Sequence, residues 1–301
     1  MTGAVVYQIF LDRFARSAGR GPVRDEAPDW AVPASWSDPV ATRRGVIGTQ
    51  LYGGDLDGVV EHLDHIAGLG ATVLYLTPFF PARSNHRYDA STFASVDPLL
   101  GGDAALERLC SAAAQRGIRV VGDFTANHTG DSHEWFRAAV ADAKAPERDF
   151  YIWDGEGGYE SWFGVPSMPK LNHDNAELRR RLFDDPCGVI RRWLDAGLDG
   201  WRIDGDADDL LALIVRDVVD GELASYISSH GGVITVDSAE DGVLTLDFGG
   251  ACTDCPAAGS TLHERIETAV RGRYPGLASV ARTREDRKPR GWLGWPGRGS
   301  R

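Results

Sequence analysis

The stretch from Gly197 to Asp204, Gly-Leu-Asp-Gly-Trp-Arg-Ile-Asp, constrains the fold of this chain more than any other segment. A short run bounded by glycine, with apolar side chains at Trp201 and Ile203, is typical of a buried strand. Arg202 and Asp204 then stand at the carboxyl end of that strand, where (β/α) barrels place their active-site residues. The segment therefore predicts an inner barrel strand that presents a carboxylate.

Strands and helices alternate over the residues before this segment. The predicted strands are residues 4–10, 72–76 and 118–124, and the predicted helices are one that opens at residues 53–55, one at 103–116 and one at 176–196. Such alternation implies parallel strand pairing through right-handed crossovers, and therefore an α/β fold with a (β/α) barrel or an open sheet. Residues 15–50 show no period and predict a surface loop, and residues 128–172 predict an irregular segment.

Composition excludes several classes of protein. A net charge of −12 argues against a nucleic-acid partner. The chain starts without the basic and apolar regions of a signal peptide and has no long apolar run, so we expect a cytoplasmic protein with no membrane partner. Four cysteines in 301 residues are too few for a disulfide scaffold. Cys110 lies in a helical pattern and Cys187 stands beside Pro186, so both are expected to be inert thiols rather than ligands.

Polar side chains follow the predicted strands at the positions that line the mouth of a barrel. They are Tyr88, Asp89, Asp123, Asn127, His128, Arg202 and Asp204. Such a set is too polar to be a core, although each residue alone has a structural interpretation. His128 alone would be a structural histidine, and Arg202 with Asp204 alone would be a buried ion pair.

Four motifs carry a family resemblance. They are Ser-Asn-His-Arg-Tyr-Asp (84–89), Asp-Phe-Thr-Ala-Asn-His (123–128), Met-Pro-Lys-Leu-Asn (168–172) and Gly-Trp-Arg-Ile-Asp (200–204). Through these motifs, residues 7–204 resemble the α-amylase superfamily of glycoside hydrolases, and most of all its neopullulanase and cyclomaltodextrinase-like members. The resemblance implies that residues 128–172 are the subdomain inserted after the third strand of this family's barrel.

The resemblance also implies roles for the polar residues. Asp204 would be the catalytic nucleophile, Arg202 would order it, and Tyr88 and His128 would line the subsite that holds the cleaved sugar. Further substrate-binding residues would be Asp89, Asp123 and Asn127. A retaining glycosidase needs a second carboxyl group about 5 Å from the nucleophile to protonate the leaving oxygen.

That second carboxyl group is missing from the sequence pattern. The family's proton donor is a Glu after strand five, and another Asp beside a His follows strand seven. Neither motif follows Asp204, and the remaining residues are too few for a barrel of about 250 residues. Glu240 is the best stand-in, but the local pattern explains it better as part of a turn. We therefore expect residues 1–204 to be a barrel truncated after its fourth strand and inactive as a hydrolase. A calcium site near residues 53–55 is doubtful, because the expected upstream Asn/Asp cluster is missing.

Residues 206–283 predict a separate small α/β unit. An apolar stripe at helical spacing covers 206–228, and two strands at 233–237 and 243–248 are joined through Asp-Gly, which favours a tight hairpin. A helix that begins near Leu262 and a last strand at 277–281 follow. The basic tail, residues 284–301, is expected to be disordered.

The loop after the second of these strands contains Cys252-Thr-Asp-Cys255. By itself, a CxxC pair is a redox pair, half of a zinc site or half of a cluster site. Its surroundings include Ser-His-Gly-Gly within 228–232, Gly-Ala-Cys-Thr-Asp-Cys-Pro at 250–256, and Thr-Leu followed by Ile-Glu within 261–267. With these motifs the unit resembles the NifU-like C-terminal domain of iron–sulfur cluster scaffolds and carriers, which implies that Cys252 and Cys255 are cluster ligands.

A four-iron cluster takes four thiolates, whereas this unit offers two. We therefore expect a homodimer that shares one cluster, with apo iron–sulfur proteins as recipients. An unliganded reduced pair and a zinc site remain alternatives. The sequence thus predicts a fusion whose main function is iron–sulfur cluster assembly or transfer. Hydrolysis of α-glucans through Asp204 is the second hypothesis, and non-catalytic sugar binding is the third.

Overall fold

The described residues form three sheets in two units of the chain. The computed structural model describes residues 3–43, 45–155, 157–183, 188–205, 211, 214–215, 218–240, 242–252, 262–274 and 277–283. The first unit is Met1–Asp204 and the second is Gly205–Arg301. Both units combine helices with strands, which confirms the predicted α/β class.

A parallel sheet of four strands forms the centre of the first unit. The strands of this unit are β1 (Val6–Ile9), β2 (Val32–Pro33), β3 (Gln50–Leu51), β4 (Val73–Leu76), β5 (Arg119–Thr125) and β6 (Gly200–Asp204). The sheet order is β1-β4-β5-β6, and every neighbouring pair is parallel. β2 and β3 form a separate short pair in the loop between β1 and the first helix.

Strand register separates the two faces of this sheet. Tyr75 lies opposite Val121, and Asp123 lies opposite Arg202. Because successive side chains of a strand point to opposite faces, Tyr75, Asp123, Arg202 and Asp204 share one face. The other face carries apolar side chains, such as Phe124, which is completely buried. Three of the polar residues predicted at the mouth of the barrel, Asp123, Arg202 and Asp204, are therefore brought to one side of the sheet.

Helices share one hydrophobic core with this sheet. They are α1 (Leu56–Glu61), α2 (Leu63–Gly68), α3 (Gly102–Ala114), α4 (Glu134–Ala141), α5 (Ala176–Phe183) and α6 (Val189–Asp195). Trp193 of α6 is 2% exposed, and its indole nitrogen donates to the carbonyl oxygen of Phe93 at 3.1 Å. Its ring packs against Phe79 and Phe80, so α6 is fixed to the core directly before β6.

Three predictions for this unit need correction. The predicted helix 176–196 is two helices, α5 and α6, and the sequence between them contains Pro186, which lacks the backbone N–H that a helix interior needs. Residues 128–172 are not wholly irregular, since they contain α4. The strand predicted to be buried, β6, lies at the edge of the sheet, and all five of its residues are at least partly exposed.

The second unit has its own sheet and core. It contains a π-helical turn (Val218–Glu222), α7 (Ala224–Ser229), β7 (Gly232–Glu240), β8 (Val243–Gly250), α8 (His263–Arg273) and β9 (Ser279–Arg282). β8 pairs antiparallel with β7 and parallel with β9. Leu244, Leu246 and Phe248 are buried on one face of β8, as the alternation predicted. Glu240 pairs with Val243 beside the hairpin turn, as expected for this residue.

Several predicted features lie outside the described residues. These are Cys187, Cys255 and the tail 284–301. Cys110 is buried in α3, and burial raises the pKa of its thiol to about 12. Such a thiol stays protonated at neutral pH, which fits the inert role predicted for it. None of the helices in the described ranges is both long enough and apolar enough to span a bilayer.

The edges of the first sheet lead to a prediction about self-association. In the described part of the chain, β1 pairs only with β4, and Val6 on β1 is 52% exposed. Unpaired edges template association between chains, and an edge lysine opposes it. We expect the metal-free protein to associate as its concentration rises and Val6→Lys to reduce that association, measured by light scattering after size exclusion. Val140→Lys, at a valine of α4 that is 58% exposed, is the matched control. A wild-type monomer at all concentrations would contradict this expectation.

A buried histidine makes the stability of the first unit depend on pH. His133 is fully buried and caps α4, where its Nδ1 accepts from the backbone N–H of Trp135. Burial lowers the pKa of His133 to about 3, so the unfolded chain binds the proton first as the pH falls from about 6.5. The folded state should then lose up to about 1.4 kcal/mol per pH unit because of this group.

His133→Asn should reduce this pH dependence without abolishing it, because Asn can still cap the helix but does not titrate, while the buried His128 still does. Urea unfolding followed by tryptophan fluorescence at pH values between neutral and 5 measures the effect. His65→Asn, at an exposed position of α2, is the control and should keep the wild-type dependence. An unchanged dependence in His133→Asn would show that the histidine is not responsible.

Candidate functional site

A buried carboxylate organises the polar face of the first sheet. Asp123 has no exposed surface, and its Oδ2 accepts hydrogen bonds from the hydroxyls of Tyr75 and Tyr88, the latter at 2.8 Å. The Nη1 of Arg202 lies 3.0 Å from both Asp123 oxygens. Asp123 therefore connects β4, the 84–89 segment and β6.

The same contacts explain how these groups titrate. Burial raises the pKa of Asp123, while hydrogen bonds from the two tyrosines and the charge of Arg202 oppose that change. Burial, together with the hydrogen bond to Asp123, raises the pKa of Tyr75 to about 12 and raises that of Tyr88 further. Both phenols therefore stay protonated and act as donors at neutral pH.

Arg202 joins Asp123 to the predicted nucleophile. Its Nη1 lies 2.5 Å from the Oδ1 of Asp204. Partial burial disfavours the charged form, but Asp123 and Asp204 together raise the pKa of Arg202 above its ordinary value. The Asp204 side chain is 22% exposed, whereas that of Asp123 is not exposed at all. Of the two carboxylates, Asp204 is thus the one that a ligand can reach.

His128 lies beside this network, and one of its two ring nitrogens has no hydrogen-bond partner among the described residues. Its Nε2 is 3.1 Å from the carbonyl oxygen of Tyr88, which can only accept, so Nε2 carries the proton. Burial lowers the pKa of His128 to about 4, although the charge of Asp204 opposes the shift. The neutral ring therefore has a bare, buried Nδ1 that has no hydrogen-bond partner among the described residues. Such an atom can accept a hydrogen bond from a hydroxyl group.

The remaining predicted substrate-binding residues are Asp89 and Asn127. Asp89 accepts from the Ser84 hydroxyl and from the backbone N–H of Arg83. Asn127 is 4% exposed, and its Oδ1 is a second buried acceptor with no partner in the described part of the chain. The structure thus brings together Tyr88, Asp123, His128, Arg202 and Asp204, and it places Asp89 with Ser84 and His86.

At the doubtful calcium position, the carboxylate of Asp55 is engaged in hydrogen bonds within the protein. The carboxylate of Asp55 accepts from the backbone N–H and hydroxyl of Ser17 and from the backbone N–H of Gly58. It is 1% exposed and caps α1. These contacts give Asp55 a structural role at the start of the helix. Among the described residues, no group of three or more His, Cys, Asp or Glu side chains is arranged to hold a metal ion.

Two residues of this site were missed in the sequence. Tyr75 donates to Asp123, and the ring of Trp162 lies 5.6 Å from that of His128. Tyr75 carries a signal, because it is the polar member of an apolar strand and alternation places it on the inner face. Trp162 carries none, because it lies in a segment without period and is brought to His128 by the pairing of Ser161 with Pro169.

The second unit holds Cys252 in a tight loop after β8. Its backbone N–H donates to the carbonyl oxygen of Gly249 at 3.2 Å, and Nη2 of Arg282 donates to its carbonyl oxygen at 2.8 Å. Cys252 is 4% exposed, and a Cβ built on Gly232 would lie 2.2 Å from its sulfur. Glycine thus leaves a space that the thiol fills, and thiolate is the ligand that iron–sulfur clusters use. This geometry fits a cluster ligand, and Cys255 lies outside the described residues.

Comparisons with known proteins divide the chain in two. Residues 8–209 match the model of the alpha amylase catalytic domain, and residues 215–281 match the model of the NifU-like domain. The second match suggests an iron–sulfur cluster and a scaffold role for the second unit.

Relatives of the first unit are glycoside hydrolases. Neopullulanase 2 of Thermoactinomyces vulgaris is 36% identical over 210 residues, which are 67% of this chain and 33% of that protein. A cyclomaltodextrinase of a Bacillus species is 33% identical over 210 residues, which are 67% of this chain and 35% of that protein. This chain therefore spans about a third of the length of these curated relatives.

A solved structure of a hydrolase is also similar to this chain. The ligand-free cyclic alpha-maltosyl-(1→6)-maltose hydrolase from Arthrobacter globiformis superposes with a TM-score of 0.62 at 35% identity, covering 73% of this chain and 48% of that chain. The family match covers more than half of the chain and contains all four motifs that carry the resemblance. The chain belongs to the alpha amylase catalytic-domain family, and its residues 215–281 add a NifU-like domain.

Proposed function

We propose that this protein binds an iron–sulfur cluster through Cys252 and Cys255 and passes it to apo proteins. The observation that carries the proposal is the position of Cys252, whose sulfur fills a glycine-lined space in a loop of the NifU-like unit. Thiolates are the preferred cluster ligands, and binding releases their protons.

Stoichiometry supports a shared cluster. A four-iron cluster takes four thiolates, and one chain contributes the pair Cys252 and Cys255. Two copies of the chain would complete the ligand set, which gives a homodimer around the cluster. Zinc would also accept thiolates, but it would need the same second pair. The identity of the bound metal, iron or zinc, therefore distinguishes these two cases.

The first unit is proposed to be silent as a hydrolase. Asp204 is reachable and ordered by Arg202, but a retaining mechanism needs a second carboxyl group as acid. Asp123 cannot serve, because it is fully buried and both its oxygens accept hydrogen bonds. Asp89 is held by Ser84. Within the described part of the first unit, the polar face therefore offers a nucleophile without a partner acid.

Binding of α-glucans is the second candidate function. The Nδ1 of His128 and the Oδ1 of Asn127 are buried acceptors that have no donor among the described residues. Buried acceptors are costly to leave unpaired, and the hydroxyl groups of a sugar are suitable donors. This observation favours a sugar-binding face that has kept its recognition groups.

Cluster loading tests the first proposal. After anaerobic reconstitution we expect a brown dimer with about two iron atoms per chain, because four thiolates from two chains hold four iron atoms. Cys252→Ser and Cys255→Ser should each lose the visible absorbance and the iron. Cys110→Ser, at a buried thiol of the first unit, is the matched control and should load normally. A protein that takes up zinc instead, or loads equally in all variants, would contradict the proposal.

Sugar assays test the proposal that the first unit is inactive as a hydrolase. We expect no measurable release of reducing ends from cyclodextrin or pullulan, since loss of a general acid typically costs about 10²–10⁴-fold in rate. Calorimetry should still detect binding of the same sugars, and His128→Ala should weaken it. Asp64→Asn, at an exposed position of α2, is the control. Turnover that disappears in Asp204→Asn but survives in Asp64→Asn would show that the first unit is an active hydrolase.

A further inference from the structure

Two residues distant in sequence from the cysteine pair fix the position of Cys252. Gly232 is the first residue of β7, and it lies opposite Gly250 of β8. Arg282 is the last residue of β9, and it reaches the carbonyl oxygen of Cys252 at 2.8 Å. We infer that Gly232 and Arg282 are positioning residues that hold the Cys252 sulfur where a cluster needs it. This inference rests on the proposed cluster-binding function.

Gly232 acts through the space that it leaves empty. A Cβ at this position would lie 2.2 Å from the Cys252 sulfur, whereas nonbonded heavy atoms approach to about 3.5–4.0 Å. The sulfur would have to move by more than about 1 Å, and it can do so by rotating about χ1 into another rotamer. The fold would therefore survive an alanine here, while the thiol would leave its position. Metal–ligand distances tolerate only about 0.2 Å.

Arg282 acts on the backbone that carries the thiol. Its guanidinium stacks on the ring of Phe248 at 4.6 Å, which orients the side chain along β8 toward the loop. From there it donates to the Cys252 carbonyl, 30 residues away in sequence. On the other side of the loop, the backbone N–H of Ala251 donates to the carbonyl oxygen of Gly231 at 3.0 Å. The start of the cysteine loop is thus held from β9 and from the residue that precedes β7.

A glycine at the neighbouring register pair provides a matched comparison. Gly249 lies opposite Val233, and a Cβ built on it would meet Val233 atoms at 3.8 Å, an ordinary contact. Gly249→Ala therefore adds the same methyl group to the same end of the hairpin without displacing the sulfur. Differences between Gly232→Ala and Gly249→Ala report the position of the thiol rather than the stability of the sheet.

The first experiment needs no cluster. Alkylation of Cys252 by iodoacetamide is followed in the metal-free protein by peptide mass spectrometry. We expect Gly232→Ala to react several-fold faster than wild type, because its sulfur is driven out of the buried space, and Gly249→Ala to react at the wild-type rate. Circular dichroism should be the same for all three proteins. Equal alkylation rates in Gly232→Ala and wild type would overturn the inference about Gly232.

The second experiment measures loss of iron from the reconstituted protein to a chelator. Residues that support metal ligands typically contribute about 10–100-fold in affinity, so Gly232→Ala and Arg282→Leu should lose iron about tenfold faster or more. Arg282→Lys should recover part of the effect, because lysine also donates to a carbonyl. Arg265→Leu removes an exposed arginine that stacks on Tyr226 and is the control.

The two experiments separate the inference from the function on which it rests. A wild-type protein that takes up no iron would contradict the proposed function, while the alkylation rates would still decide the role of Gly232. A wild-type protein that holds iron no better than Arg282→Leu and Gly232→Ala would overturn the inference and leave the proposed function intact.

Discussion

The first unit depends on the buried carboxylate of Asp123. It accepts from Tyr75 on β4, from Tyr88 in the 84–89 segment and from Arg202 on β6, so three separate parts of the chain converge on one side chain. A buried carboxylate is stable only when such donors surround it. Because Arg202 contacts both Asp123 and Asp204, the position of the partly exposed Asp204 carboxylate depends on the buried Asp123 carboxylate. Asp123 thus positions Arg202, and Arg202 positions Asp204.

The two units differ in how much of their chemistry a single chain can supply. Cleavage of a glycosidic bond with retention needs two carboxyl groups at a fixed separation. Among the described residues of the first unit, we propose Asp204 as the nucleophile and no second carboxyl group as its acid. A thiolate pair needs only a second copy of itself to complete a ligand set. We therefore propose cluster binding by Cys252 and Cys255 as the main function of the chain, and sugar binding near His128 and Asn127 as the second candidate.

Much of the fold follows from the sequence, because its patterns are local. The parallel strands, the hairpin from β7 to β8 and the buried face of β8 follow from alternation and Asp-Gly. Contacts made through tertiary pairing could not be predicted. The approach of Trp162 to His128 and that of Arg282 to Cys252 join segments that share no sequence pattern. The break between α5 and α6 is not predicted, because apolar residues at helical spacing lie on both sides of Pro186.

The central claim is that the thiol pair of the second unit holds an iron–sulfur cluster. Mössbauer spectroscopy of full-length protein, enriched with the resonant iron isotope and reconstituted without oxygen, tests it most directly. The account predicts the spectrum of a diamagnetic four-iron cluster with delocalised valence, lost when Cys255 is replaced by serine. A spectrum of isolated high-spin iron, or no iron bound at the pair, would contradict it.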